Sequence, residues 1–357
     1  MTEAIMVVGG KGTRLRPLTV NIQKSMLPCA GVPFLTHLLA RARQAGVDHL
    51  VLATSYRAEL FSEHFGDGSA LGLELTYVTE EIPLGTGGAL RNVADRLRSD
   101  PDDPVLIFNG DILSGHEIRD QLAAHRATNA DVTLHLTEVA DPRPYGCVPT
   151  DQDGRVLAFL EKMPEPVSNQ INAGCYVFRR RVLDEIPAGQ VVSVERETFP
   201  ALLARGAHVR GYLDSSYWLD VGTPAAFVRG SADLVLGRAP SPAVSPVDGE
   251  ALVLPGAEVA SDAKLVGGTF VGTRARVGTG AHVDGSVLLD DAAIGAGAVV
   301  RASVVGAGAR IGAGCVLDDA VVGDGADVGA GNELRAGIRV WTAAVLADRV
   351  IRFSSDQ

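Results

Sequence analysis

The sequence predicts two successive domains of different architecture: an α/β domain built on a mostly parallel sheet, then a solenoid of very short strands. Three observations carry this. Through residues 1–237, short apolar runs alternate with longer amphipathic ones, the pattern of strands joined by crossover helices. From Val253 onward, aliphatic residues recur at every sixth position, a period that fits neither the 3.6 of a helix nor the 2 of a flat strand. Between the two, residues 238–250 hold three prolines and no hydrophobic period, which marks a linker. The expected division is 1–237, a linker at 238–250, and 251–357.

Composition narrows the function classes. A chain of 357 residues, 46% of them hydrophobic, can bury two real cores, so disorder is excluded. The net charge of −11 argues against a nucleic-acid partner, whose phosphates need a basic surface. No run of 18 apolar residues and no basic, apolar leader occurs. No membrane partner is therefore expected, and the expected compartment is the cytoplasm. Cys29, Cys147, Cys175 and Cys315 have neither metal-ligand nor disulfide spacing and read as small buried thiols.

In chain order, Ala4–Val8, Leu50–Thr54, Leu73–Val78, Val105–Asn109 and Val132–Leu136 read as strands. Phe34–Ala45, Glu59–His64, Ala89–Leu97 and Glu117–Ala127 read as helices between them, and Val156–Leu160 as a further strand. Ligands of such sheets bind beyond the carboxyl ends of the strands. The first strand runs into Gly9-Gly10-Lys11-Gly12-Thr13-Arg14-Leu15-Arg16-Pro17-Leu18-Thr19. Three glycines in four residues let backbone amides turn toward a phosphate chain, and three cations supply charge. No Gly-Lys-Ser/Thr follows, so this is not a Walker A loop. Leu15 stands where the third glycine of a dinucleotide fingerprint would be.

In the solenoid, Val253, Val259, Leu265, Val271, Val277 and Val283 keep the period of six. Val271, Leu288, Val305 and Val322 then head units of 17 residues divided six, six and five, with Ile294 and Val300, Ile311 and Leu317, and Val328 and Leu334 inside them. One aliphatic side chain per step would point into a narrow core, with small residues at the corners. That use of small residues accounts for 19 of the 41 glycines falling in the last 119 residues.

The solenoid resembles the hexapeptide-repeat left-handed β-helix, with three steps to a triangular turn. Many such proteins are acyltransferases with a coil histidine as base. Here the coil has only His282, without a second histidine or a lysine cluster, and is expected to serve assembly or to act as a rigid partner of the first domain. The glycine loop, followed by Lys24 and Met26-Leu27-Pro28, resembles the signature of the sugar-nucleotide pyrophosphorylases, the nucleotidyltransferases of sugar 1-phosphates. Pro83-Leu84-Gly85-Thr86-Gly87-Gly88, Phe108-Asn109-Gly110-Asp111, Tyr145-Gly146, Glu161-Lys162, Asn172-Ala173-Gly174 and Trp218-Leu219-Asp220-Val221-Gly222-Thr223-Pro224 follow in the family's order. Among them the chain is most similar to the bacterial guanylyltransferases of mannose 1-phosphate that carry a hexapeptide coil.

The resemblance implies a Rossmann-like first domain that joins a sugar 1-phosphate to the α-phosphorus of GTP and expels pyrophosphate. It implies Arg14 on the β- and γ-phosphates and Lys24 reaching the phosphates of both substrates. Gly9, Gly10, Gly12 and Thr13 would cradle the chain, and Gly85, Thr86 and Gly87 would lie at the nucleobase. Gly146, Glu161, Lys162, Asn172 and Gly174 would hold the sugar phosphate. Asp111 and Asp220 would ligate Mg²⁺, or Mn²⁺ in its place. The family commonly has Pro-Lys-Pro around the lysine, whereas Gln23-Lys24-Ser25 stands here. Loss of both prolines is expected to loosen the backbone that aims Lys24. It also admits a different acceptor, such as a cyclitol phosphate of the valienol 1-phosphate kind. A non-catalytic regulatory subunit is the other reading, opposed by the presence of Arg14, Lys24, Asp111 and Asp220. Homo-oligomers through the β-helix are expected.

Overall fold

In the computed structural model, which describes residues 2–352 apart from Tyr56, Glu161, Met163 and Pro246, the first strand is β1 (Glu3–Val7). Its Ala4, Ile5 and Met6 are fully buried, as a central parallel strand requires. The chain forms two compact units: residues 1–10 with 38–218, and residues 11–37 with 219–357.

The first unit is a seven-stranded sheet. It contains β1, β2 (His49–Thr54), β3 (Glu74–Thr79), β4 (Pro104–Asn109), β5 (Val132–Glu138), β6 (Gln170–Arg179) and β7 (Val209–Leu213), in the spatial order β7-β5-β6-β4-β1-β2-β3. All neighbours are parallel except β6, which runs antiparallel to both β4 and β5. The helices of the chain are α1 (Phe34–Gln44), α2 (Glu59–Phe65), α3 (Gly85–Val93), α4 (Ile118–Thr128), α5 (Arg180–Asp184), α6 (Phe199–Ala204) and α7 (Pro224–Val235).

The five strands read from the sequence stand within a residue or two of their expected places. Two strands of this sheet escaped the reading. β6 contains Asn172 and a Gly174 with φ 79°, which break its apolar run, and β7 is a short strand interrupted by Gly211. Val156–Leu160 is not a continuous strand: Val156 bridges Thr150 and Leu160 bridges Cys147 singly. Helix α3 begins at Gly85, four residues before its expected start, so the glycine turn is itself the first helical turn. An aromatic cluster seals one face of the sheet, with Phe199 stacked on Phe159 at 4.5 Å and edge-on to Tyr176 at 5.4 Å.

The second unit is centred on three ladders of parallel two- and three-residue strands. Registers such as Val271↔Leu288↔Val305↔Val322 confirm the 17-residue turn. The first and last turns, Val253↔Val271 and Val322↔Val340, are one residue longer. Inward aliphatics and alanines form a continuous core, consistent with a left-handed β-helix. One row breaks the usual alternation of buried and exposed: Phe270, Val287, Val304 and Val321 point outward from the first ladder yet are buried.

That row explains why residues 11–37 and α7 pack with the coil. A tight hairpin pairs Pro28–Cys29 with Val32–Pro33, and Gly31 turns at φ 90° with Leu252, Leu254 and Phe270 3.4–3.7 Å from where its side chain would stand. The Ala30 amide donates to Ser231 Oγ of α7 at 3.2 Å. Helix α7 is started by Pro224 and capped by Thr223 Oγ1, which accepts from the Ala226 amide. The proline-rich segment is held at its start as well. His37 Nε2 donates to the Cys29 carbonyl at 2.9 Å, which leaves Nδ1 to accept from Ser241 Oγ at 2.7 Å. The compact units therefore part along a different line from the expected boundary at 238–250.

Candidate active site

In the first unit, the expected site residues lie beyond the carboxyl ends of β1, β3 and β4, on β6 and in the loop before it; Asp220, on the strand Trp218–Asp220, falls in the second unit. β1 ends at exposed Gly9 and Gly10, and the Gly10 amide donates to Ser55 Oγ, just past β2, at 3.3 Å. Gly10 has φ 107° and open space around it, so its backbone can be approached closely. Beyond β4, the Gly110 amide donates to the Val7 carbonyl at 2.9 Å. A side-chain carbon there would lie 2.6 Å from that oxygen. This contact fixes the turn that presents half-buried Asp111 beside the end of β1.

Beyond β3 comes the turn into α3. The Gly87 and Gly88 amides both donate to the Val192 carbonyl, at 2.8 and 3.3 Å. Thr86 Oγ1 accepts from the Val194 amide at 2.9 Å and donates to Glu195 Oε2 at 3.0 Å. Two carboxylates that the sequence did not single out, Glu80 and Glu195, thus border this turn. Glu80 Oε2 accepts from the Leu84 amide at 3.4 Å, while its buried Oε1 has no hydrogen-bond partner among the described residues. Burial pushes the Glu80 carboxyl above the usual carboxylate range, against the pull of that amide.

On β6, Asn172 Oδ1 accepts from the Gly174 amide at 3.0 Å and its Nδ2 donates to the Tyr176 hydroxyl at 2.8 Å. Asn109 Nδ2 meets the same hydroxyl at 3.5 Å, so the ends of β4 and β6 share one polar patch. Gly174 cannot carry a side chain, which would stand 2.9 Å from Ile112. Exposed Tyr145, next to Gly146, sits edge-on to Trp218 at 5.3 Å, and Trp218 Nε1 donates to the Ala173 carbonyl at 3.0 Å. This aromatic pair lies beside Asn172 and Gly174. Lys162 is exposed, and Glu161 lies outside the described residues.

The second unit brings together Gly12, Thr13, Arg14, Lys24, Asp220 and Gly222. Gly12, at φ 55°, starts the short turn Thr13–Leu15. A carbon on Gly12 would lie 3.1 Å from both Lys24 Cβ and Thr19 Cγ2, and Thr19 Oγ1 donates to the Gly12 carbonyl at 2.7 Å. The Lys24 stem therefore rests against the glycine turn. Arg14 Nη2 and Asp220 Oδ1 lie 2.5 and 2.8 Å from where a Gly222 side chain would stand. Glycine is the residue that lets this cation and this carboxylate converge.

The backbone around Lys24 is not loosened by the lost prolines. Gln23 caps the turn Lys24–Met26, its side chain accepting from the Ser25 amide at 3.4 Å, and the Met26 and Leu27 amides bond back to Gln23 and Lys24. Gln23 and Ser25 are buried. A hydrogen-bonded polar turn replaces the stiffness of the prolines.

Among the described residues, no three His, Cys, Asp or Glu side chains cluster in a way that could hold a metal. A divalent ion held by only two carboxylates, with its shell completed by phosphate oxygens and water, suits the preference of Mg²⁺ for incomplete protein cages. Asp111 in the first unit and Asp220 in the second are each carboxylates, the donor type such an ion takes. On the coil, His282 is half-buried within a ladder, between Lys264 and Val299.

Residues 3–235 match the nucleotidyl transferase family model, and residues 247–355 match that of the GMPPB C-terminal domain. The chain is 59% identical over 355 residues to a mannose-1-phosphate guanylyltransferase of Mycobacterium tuberculosis, covering 99% of this chain and 98% of that one. It is 37% identical over 230 residues to the mannose-1-phosphate guanylyltransferase catalytic subunit beta of Drosophila pseudoobscura pseudoobscura, covering 64% and 61%. Among solved structures, HddC of Yersinia pseudotuberculosis in complex with GMP-PN shares the fold, at 24% identity and a TM-score of 0.57. That match covers 66% of this chain and all of that one. No described helix is long and apolar enough to cross a membrane.

Proposed function

Because the chain belongs to the nucleotidyl transferase family, we propose that it transfers GMP from GTP to mannose 1-phosphate, giving GDP-mannose and pyrophosphate. The observation that carries this reading is the likeness over both the sheet unit and the coil to one guanylyltransferase, at 59% identity across 99% of the chain. The chemistry of the site supports it. A phosphate oxygen of the sugar 1-phosphate attacks the α-phosphorus of GTP. The new P–O bond forms as the bond to the β-phosphate bridging oxygen breaks, and pyrophosphate leaves with the electron pair. No covalent enzyme intermediate is needed, so the protein aligns and neutralises anions.

In this reading Arg14 neutralises the β- and γ-phosphates of the departing pyrophosphate. Lys24, steadied against Gly12, spans the two substrates. The amides of Gly9, Gly10 and Gly12, with Thr13, line the triphosphate. Gly85, Thr86 and Gly87 shape the base end, where the unpartnered Glu80 Oε1 offers an acceptor to the N1 and N2 hydrogens of guanine. Asn172, Gly174, Gly146, Glu161 and Lys162 receive the sugar phosphate. Asp111 and Asp220 would hold Mg²⁺, which when bound withdraws charge from the α-phosphate. We propose in addition that copies associate through the β-helix and that the protein works in the cytoplasm.

The hydrogen-bonded turn at Lys24 supports mannose 1-phosphate over a cyclitol phosphate as the acceptor. The test is a matrix of nucleoside triphosphates against sugar and cyclitol 1-phosphates, followed by pyrophosphate release. GTP with mannose 1-phosphate is expected to turn over fastest. Asp111→Asn should lose about 10²-fold or more in kcat, and full activity in that variant would remove Asp111 from the metal site. Turnover with no pair in the matrix sinks the reading.

A further inference from the structure

The phosphate loop packs with the coil, in the compact unit 11–37 and 219–357, and one coil residue touches its backbone. The outward row of the first ladder reads Leu252, Phe270, Val287, Val304 and Val321, then Arg339. An arginine ends a row that is otherwise wholly apolar. Its Nη1 donates to the carbonyl of Arg16 at 2.7 Å. The next residue, Pro17, is buried, and its Cβ is 3.1 Å from where a side chain of Gly323 would stand.

We propose that Arg339 is a positioning residue for nucleotide binding, fixing the Arg16 carbonyl and so aiming Arg14. The turn that carries Arg14 has no side-chain cap of its own. Its backbone returns from Arg16 N to the Thr13 carbonyl at 3.3 Å, so Arg16 closes the turn. Arg339 therefore grips the turn two residues from the guanidinium that converges with Asp220 at Gly222. A charge-assisted hydrogen bond to a carbonyl, backed by close proline packing, is directional enough to hold that turn. Without it, an error of about 1 Å at Arg14 is enough to cost on the order of 10²-fold in a reaction that depends on alignment. The coil is then part of the nucleotide site, and its role is not confined to assembly.

The inference rests on the reading of Arg14 as a triphosphate ligand. The experiment compares full-length Arg339→Ala, Arg339→Lys, Arg14→Ala and a control, Arg310→Ala, an exposed arginine on another ladder. Each is assayed for kcat, the KM of GTP, the KM of mannose 1-phosphate, and thermal unfolding. Arg339→Ala is expected to lose about tenfold in kcat/KM for GTP, with an unchanged sugar-phosphate KM and melting midpoint. Arg339→Lys should recover part of that loss, and Arg310→Ala should match the wild type. Wild-type GTP kinetics in Arg339→Ala overturn the proposal, as does a loss that vanishes once rates are corrected for the folded fraction. An unimpaired Arg14→Ala would instead overturn the reading of the loop itself.

Discussion

Glu80 is the residue whose environment asks most clearly for a ligand. An acceptor buried without a partner costs about 1–3 kcal/mol, and Glu80 Oε1, just past the end of β3, has none among the described residues. Guanine presents two adjacent hydrogen donors on its pairing edge, whereas adenine presents one donor beside an acceptor. Glu80→Gln is therefore expected to raise the KM of GTP by about tenfold and to shrink its advantage over ITP, which lacks the N2 amino group. Equal GTP kinetics in variant and wild type would separate Glu80 from base reading. Nothing in the sequence marks this residue among 43 acidic side chains, because its meaning comes from burial and from the Leu84 amide. Arg14, Lys24 and Asp111 could be named as expected site residues, since each sits in a string of residue types whose order is itself informative.

Beneath the polar patch of β6 lies a buried histidine layer. His116 stacks on His135 of β5 at 3.7 Å, and His116 bonds Ser114 Oγ and Gln121 Oε1 of α4 at 2.9 and 3.0 Å. Burial first, then the nearby Arg41 cation, holds His116 down to about 4. Burial, His116 and Arg41 hold His135 at about 2. On α4, burial and the Arg179 charge take His125 to about 4. The folded chain thus keeps these rings neutral, while the unfolded chain binds protons near 6.5. Between those values the unfolded state holds more protons, so stability falls as pH drops from about 6.5 toward 4, by on the order of a few kcal/mol. Melting midpoints measured from pH 8 to 4 should be flat above about 7 and decline below 6.5; a midpoint unchanged down to pH 5 contradicts neutral burial. The carboxylate Glu3 contributes in a lower window. Its burial is outweighed by His49, Ser99 and the Arg98 and Ser99 amides, so its pKa is lowered and its share is lost below the ordinary carboxylate range. Helices α1 to α4 and the solenoid were readable because their periods are regular, whereas α5, α6 and α7 escaped the reading. β6 was not readable, because Asn172 and Gly174 break its apolar run and lower its strand propensity.

At the scale of the whole molecule, the sequence separates the linker and the coil by composition. It does not reveal that residues 11–37 belong with the coil, since that depends on an outward apolar row recognisable only once the three ladders are formed. The same row has a metrical consequence. Segment 16–31 is pinned at one end by Arg339 and Gly323, and at the other by Leu252, Leu254 and Phe270. These anchors lie several rungs apart on the solenoid, which therefore acts as a ruler for the loop. Duplicating one 17-residue rung between Val305 and Val322 preserves every register in the coil, yet moves the far anchor by one strand spacing, about 4.8 Å. That variant is expected to melt like the parent and to lose GTP turnover. The length of the repeat array would then be under selection for catalysis, and an insertion harmless to folding would still be out of measure.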